Sequence, residues 1–352
     1  MASLHDSPLV VDSPNPTALN AGGGLSGDST PVVPPNVRQT QIYLNAGLDP
    51  NREISVNYEG QVIWSDEGYS AKQSHFIYPW TNEALTDWYD RLKVYLAGKK
   101  VVAVCNSDFV LTAVMAGAEQ PVRVIDNNLA SLFFAELKAV AASRLDRLED
   151  FKRFFKTFAN PSLRPEHERV GFFGEVFEDL SPHLSDHSRG YLSQVFESVY
   201  IRKHLISRRG ANNGRARNAP YLQNESAYSS VRLASSRVEF CPESIEQFFG
   251  AMVLGRLTPH SQCDTAYLSN APAWISLYGW GSDDSVIGVV NAVSDGGHVL
   301  IATDGYRQEE SLLLANNTGA RLTRIRRDPP GRKTAFNEMS VFYRYHETDL
   351  LS

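Results

Sequence analysis

The sequence predicts an α/β protein built on a doubly wound, mainly parallel, Rossmann-like sheet with a C-terminal antiparallel hairpin and a helical insertion. Three observations predict it. From about residue 99, short β-branched runs alternate with helical segments, the pattern of βαβ units. The first of those runs, at 101–105, is continuously apolar, as in a strand covered on both faces. The last stretch, "ARLTRIRRDPPGRKTAFNEMSVFYRY", reads as two strands around a Pro-Pro-Gly turn and so must reverse direction.

Residues 1–37 are rich in Ser, Pro, Gly, Asn and Asp and offer too little apolar surface to offset the entropy of ordering, so a disordered tail is expected there. Residues 38–98 read as a hairpin and helix segment. "REISVNYEGQVIWS" is a hairpin centred on Glu59-Gly60. "PWTNEALTDWYDRLKVYLAG" is a helix capped by Thr81 or Asn82, with Leu85, Trp88, Leu92 and Tyr95 on one face and Gly98 as its stop. The sheet domain, expected over 99–350, continues with a helix from 109 to 115 closing at Gly117 and a second strand at 122–125. "LASLFFAELKAVAASRL" is a long helix of low charge suited to packing on the sheet. Residues from about 145 to 235 are mostly helical and more polar, and form the insertion. Strands "SRVEF", "CDTAYLSNAPAWI" and "HVLIATD" follow, separated by the helices "PESIEQFFGAMVLG" and "SDDSVIGVVNAV".

Composition excludes several functions. With 42% hydrophobic and 21% charged residues the chain has the balance of a soluble globular protein. A net charge of -6 gives no whole-molecule attraction to nucleic acid or anionic membrane, so no nucleic-acid partner is expected. Cys105, Cys241 and Cys263 are too few for a disulfide framework, no metal-binding spacing occurs, and no run reaches the ~20 apolar residues of a membrane span. With no signal-peptide pattern either, the expected location is the cytoplasm. The basic run from Arg202 to Arg217 reads first as a solvated face and loop, and secondarily as an anchor for an anionic group or a lipid surface.

Open parallel sheets bind ligands beyond the carboxyl ends of their strands, where the strand order reverses. The turns there carry the candidate residues. The second strand ends at Asp126, about twenty residues after the first turn, where an acid accepts two hydrogen bonds from ribose hydroxyls; the structural alternative is a helix N-cap. The first turn, Cys105-Asn106-Ser107-Asp108, lacks the glycines that bring backbone close to a pyrophosphate, which argues against a dinucleotide. Asn106, Ser107 and Asp108 can instead hydrogen-bond an amino acid moiety, although Ser107 or Asp108 can equally cap the next helix. Glu243 or Ser244 is placed to hold an adenine amine, capping being about equal to that role. Ser269 and Asn270, with Tyr267, form a polar turn that would orient an acceptor; a simple Asx turn is the alternative. A hydroxyl acceptor would also need a base, for which Asp264, His260 and Asp108 are the candidates.

A parallel sheet ending in a reversed hairpin is the pattern of class I methyltransferase-like, S-adenosylmethionine-dependent transferases. The stretch 101–142 also resembles the S-adenosylmethionine:diacylglycerol 3-amino-3-carboxypropyl transferases of betaine-lipid synthesis. Its matching parts are Asn106-Ser107-Asp108, Asp126-Asn127-Asn128 and Glu136-Leu137-Lys138, with "GFFGEVFEDLSPHLS" and "AYLSNAPAWI" further on. The resemblance, over roughly residues 75–345, implies S-adenosyl-L-methionine as co-substrate and transfer of the aminocarboxypropyl group to a small nucleophile, or its cyclisation, with release of methylthioadenosine. Methyl transfer to a small-molecule acceptor is the alternative, and a ligand-binding protein without turnover is a third. A small-molecule acceptor is expected, and a lipid surface is less favoured.

Overall fold

Helix α1 (Pro35–Asn45) and the strands β1 (Ile54–Val56) and β2 (Val62–Trp64) precede the sheet domain. The computed structural model describes residues 35–45, 54–56, 62–64, 79–81, 83–126, 128–159, 168–197, 218–253, 262–269, 271, 283–294, 296–303, 315–326 and 338–344. Strands β1 and β2 pair antiparallel with Ser55 opposite Ile63, the expected hairpin. Helix α1 begins inside the segment expected to be a tail. Its sequence is polar, and what holds it is tertiary. The Gln39 side-chain amide donates to Val238 O at 3.1 Å and accepts from Phe240 N at 3.3 Å. Those groups belong to an edge strand, so the amide occupies backbone positions that would otherwise invite another chain.

Helix α2 (Leu85–Leu96) buries Leu85, Trp88, Leu92 and Leu96 and ends at Gly98, whose φ of +66° is a left-handed stop that glycine adopts freely. It starts later than expected and Thr81 does not cap it: the N-cap is Ala84, with no side-chain bond. Asn82 lies outside the described residues. Then follow β3 (Lys100–Val104), α3 (Ser107–Met115), β4 (Glu119–Ile125) and α4 (Leu129–Arg144). The insertion comprises α5 (Leu148–Phe158), α6 (Glu168–Leu180), α7 (Asp186–Glu197) and the short α8 (Glu225–Ser229) and α9 (Ala234–Arg237). The sheet resumes with β5 (Val238–Cys241), α10 (Ile245–Val253), β6 (Thr265–Ser269), α11 (Asp283–Ala292), β7 (His298–Thr303), β8 (Arg321–Arg326) and β9 (Glu338–Tyr343).

Seven strands form one sheet in the order β5-β4-β3-β6-β7-β9-β8. Strands β5, β4, β3, β6 and β7 are parallel, and β9 runs antiparallel to both β7 and β8. The terminal hairpin therefore does not merely extend the edge; its last strand inserts beside β7. Alternate side chains feed two cores. Val101, Ala103, Val122 and Val124 join α2, α3, α4 and the insertion, while Val102, Ile125, Leu268 and Val299 join α10 and α11. Continuous apolar strands are the consequence of those two covered faces.

The insertion packs on α4 through aromatic rings, with Phe134 and Phe158 centroids 5.0 Å apart and Phe133 and Tyr191 5.3 Å apart. Helix α4 is not simply apolar. Glu136 and Lys138 are both buried, and each is spent on a fixed partner. Glu136 accepts from Ser185 N at 2.6 Å, from Ser185 Oγ at 2.9 Å and from Ser188 Oγ, so it satisfies the donors that open α7.

Candidate functional site

The order of the parallel strands reverses at β3, which pairs with β4 on one side and β6 on the other. The residues that follow the strands across this edge are Cys105-Asn106 after β3, Asp126 after β4, Pro242-Glu243 after β5 and Ser269 at the end of β6. Topology thus gathers the turns expected to carry ligand contacts onto one edge.

A further carboxylate, Glu83, joins two of them. It lies just before α2 and is buried. Its Oε2 accepts from Asn106 Nδ2 at 3.0 Å and its Oε1 accepts from Ser269 Oγ at 2.5 Å. Burial lifts the Glu83 carboxyl from its ordinary 4.5 to about 7; the Ser269 hydrogen bond opposes the rise and the charge of Asp108 adds to it. Asn106 has a second task. Its Oδ1 accepts from Phe109 N at 3.2 Å, so Asn106, and not Ser107 or Asp108, is the N-cap of α3. Ser107 is the first residue of that helix and is buried.

Asp108 has its own partners. Its carboxylate accepts from Lys138 Nζ, Tyr221 Oη and Thr81 N, each at 2.6 Å. Lys138 is enclosed, with the Trp80 ring 4.7 Å from its ammonium, and burial lowers its pKa against the opposing pull of Asp108. This buried ion pair ties α3, α4, Tyr221 and the segment around Thr81 together. Thr81 Oγ1 in turn accepts from Glu83 N at 3.1 Å and from Asn106 Nδ2 at 3.1 Å. The residue expected to cap α2 instead braces Glu83.

Ser269 has φ +53°, in the left-handed region that a residue with a Cβ enters at a cost of about 1–2 kcal/mol. Such strain is typical of residues held in place for a task. Tyr267 lies two residues earlier in the core, its ring stacked on Phe109 with centroids 3.4 Å apart and its hydroxyl buried. Asn270 lies outside the described residues, as does Asn127.

Asp126 is half-buried and its Oδ1 accepts from Asn128 N at 2.8 Å, an Asx turn. The N-cap of α4 is Asn128, which makes no side-chain cap bond; its Oδ1 is buried and lacks a hydrogen-bond partner among the described residues. Ser244 caps α10 reciprocally with Gln247: Ser244 Oγ accepts from Gln247 N at 3.1 Å and Gln247 Oε1 accepts from Ser244 N at 2.8 Å. Glu243 beside it is half-buried, and burial raises its pKa.

Asp264 is not at this edge. Its carboxylate accepts from Lys100 N at 3.0 Å, at the start of β3 and β6, which removes it as a base. His260 lies outside the described residues. A cavity of about 260 Å³ lies at that opposite edge, lined by Lys100, Glu119, Arg123 and Cys263 among others, and Arg123 is paired with Glu239. Among the described residues no His, Cys, Asp and Glu cluster is suited to a metal, and no helix is long and apolar enough to cross a membrane.

Numbered within the sheet alone, the strand order is 3-2-1-4-5-7-6, with the seventh strand antiparallel. This is the class I methyltransferase-like fold. No family model matches the chain and no curated protein matches its sequence. Among solved structures, the N-methyltransferase NodS from Bradyrhizobium japonicum WM9 is 9% identical over 74% of this chain and 94% of its own, with a TM-score of 0.32. The rRNA methyltransferase AviRa from Streptomyces viridochromogenes is 11% identical over 80% and 87%, with a TM-score of 0.33. At such scores the likeness adds nothing to what the strand order already shows.

Sequence reasoning missed Glu83 and Tyr221 and gave Thr81 only a capping role. Nothing in "TNEA" or "APYL" marks their partners, because their environment is made by remote elements. Lys138 did carry a signal: a lone cation in "LFFAELKAVAA" must find a counter-charge once the helix is buried.

Proposed function

We propose that the protein is an S-adenosylmethionine-dependent transferase that moves the 3-amino-3-carboxypropyl group to a small nucleophile, with release of methylthioadenosine. One observation carries the cofactor assignment: the switch-point edge is acidic and has no phosphate-cradling turn. Glu83 and Asp126 stand there, while the charge of Asp108 is matched by Lys138. That donor set suits a cationic nucleoside without phosphate and would repel a dinucleotide. Asp126 and the orphaned Asn128 Oδ1 would accept from ribose hydroxyls, and Asn106 would meet the amino acid end. Glu243, at the next turn, would face the adenine.

The choice of aminocarboxypropyl over methyl transfer rests on the resemblance of residues 101–142 alone, since Glu136 and Lys138 within it are spent on buried structural partners. When bound, the sulfonium supplies a good leaving group, and the protein's part is alignment, worth ~7–11 kcal/mol when complete. Incubation with S-adenosylmethionine and candidate acceptors, followed by mass spectrometry, tests the reading. Methylthioadenosine and a product 101 Da heavier, roughly the mass of the group transferred by in-line displacement, are expected. S-adenosylhomocysteine as sole nucleoside product would instead establish methyl transfer.

A further inference from the structure

Glu83 differs from the other buried acid beside it. Asp108 has its charge matched by Lys138, whereas Glu83 is held only by the neutral donors Asn106 and Ser269 among the described residues. A buried carboxylate without a cation is costly, and a ligand bearing a positive, proton-donating group relieves that cost. The Ser269 hydroxyl, at the end of β6, donates to Glu83 Oε1, and the φ of Ser269 is in the left-handed region. A hydroxyl hydrogen-bonded to a buried carboxylate can pass that carboxylate a proton taken from a bound group.

We infer that Ser269 and Glu83 relay a proton from a primary amine acceptor, so that the substrate class of this site is a protonated amine. The inference rests on the transferase reading above. The acceptor enters as R–NH3+ and passes one proton to Ser269 Oγ as the Ser269 proton moves to Glu83. The freed nitrogen lone pair forms a bond to the γ-carbon of S-adenosylmethionine. The γ-carbon–sulfur bond breaks with its electron pair left on sulfur, giving neutral methylthioadenosine, a protonated secondary amine and a neutral Glu83. Net charge is conserved at each side of that balance.

The match in proton affinity favours an amine over a hydroxyl. Burial sets the Glu83 carboxyl near 7. An alkylammonium loses its proton near ~10.4, about three pH units higher. A hydroxyl comparable to water lies near ~15.7, about nine units higher. Among the described residues, the titratable groups facing Glu83 are Asp108 directly, with Lys138 and the neutral Tyr221 behind it on Asp108. Asn106 acts as a positioning residue, holding the second Glu83 oxygen.

The test uses the full chain with S-adenosylmethionine and three acceptor pairs: n-propylamine and n-propanol, glycine and glycolate, 1,3-diaminopropane and 1,3-propanediol. Methylthioadenosine release and product masses are followed from pH 5.5 to 9, and binding of unreactive S-adenosylhomocysteine is measured by calorimetry. Amine-dependent release is expected, rising up to about tenfold per pH unit below neutrality and levelling above about 7. Glu83→Gln should lose amine-dependent turnover by ~100-fold or more and lose the pH break. Glu83→Asp should restore part of the rate. Turnover with the hydroxyl partner alone, binding without amine-dependent turnover, or Glu83→Gln with an unchanged pH profile would overturn the relay while leaving a transferase that binds its cofactor. No binding by the unaltered protein would sink the transferase reading and the relay with it.

Discussion

Replacing Lys138 by Met removes one half of a wholly buried ion pair and leaves the packing volume nearly intact. Lys138 Nζ sits 2.6 Å from Asp108 Oδ1, with the two side chains 0% and 1% exposed. Breaking such a pair from one side costs about 3–5 kcal/mol, because the remaining charge stays buried without its counter-ion. Asp108 keeps Thr81 N and Tyr221 Oη as donors, which moves the expectation to the lower end, about 3 kcal/mol. Against a typical total of about 5–15 kcal/mol, that is a large fraction of the stability. Urea unfolding at pH 7, followed by tryptophan fluorescence and far-ultraviolet dichroism, measures it. The double variant Lys138→Met/Asp108→Asn should be less destabilised than the sum of the two single variants, with a coupling of about 1.5 kcal/mol or more. A loss below about 1 kcal/mol for Lys138→Met, or strict additivity in the cycle, would refute the assignment of this pair as the tie between α3, α4 and the Thr81 segment.

Three other outcomes follow from the same geometry. Glu83 has a folded value above its ordinary one, so its contribution to stability is present below about 4.5 and is lost as pH rises through about 7. Between those limits the protein should lose about 3 kcal/mol on account of Glu83, and Glu83→Gln should flatten that part of the stability–pH curve in denaturant titrations; an identical slope would show that the carboxyl titrates normally. Ser269→Gly and Ser269→Ala both remove the hydroxyl, so comparing them isolates the backbone: glycine should be more stable by about 1 kcal/mol in thermal unfolding, and equal stability would mean that the positive φ is not strained. Asp126→Ala should weaken S-adenosylhomocysteine binding by tenfold or more in calorimetry while costing about 1 kcal/mol of stability from the lost Asx bond, and unchanged affinity would take Asp126 out of the pocket.

Much of the scaffold was legible because it depends on local pattern. Val101, Val102 and Ala103 are apolar in succession since both faces of β3 are covered, and Gly98 and Gly117 mark stops because both adopt positive φ. Helix α1 escaped notice because its stabilising contact is Gln39 on the edge of β5, nearly 200 residues away. The cap of α2 was misread for a related reason. Thr81 does make side-chain hydrogen bonds, but they brace Glu83 and Asn106 across the chain instead of the next turn of helix. Asp264 was a candidate base by residue type alone; the parallel register puts it at the amino edge instead.

Hydrophobic period, turn residues and the succession of strands and helices are properties of neighbouring residues, and they were enough to announce a doubly wound sheet and a switch point with Asn106, Asp126 and Ser269 at its carboxyl edge. The pairing of charges is different in kind. Glu83, Lys138 and Tyr221 come from separate elements, 23 to 186 residues from the partners they meet, and burial gives each its chemical character. A carboxylate's proton affinity depends on which groups surround it once water is gone. Folding alone settled that Asp108 would be neutralised by Lys138 and that Glu83 would meet Ser269 and Asn106, with no cation beside it among the described residues.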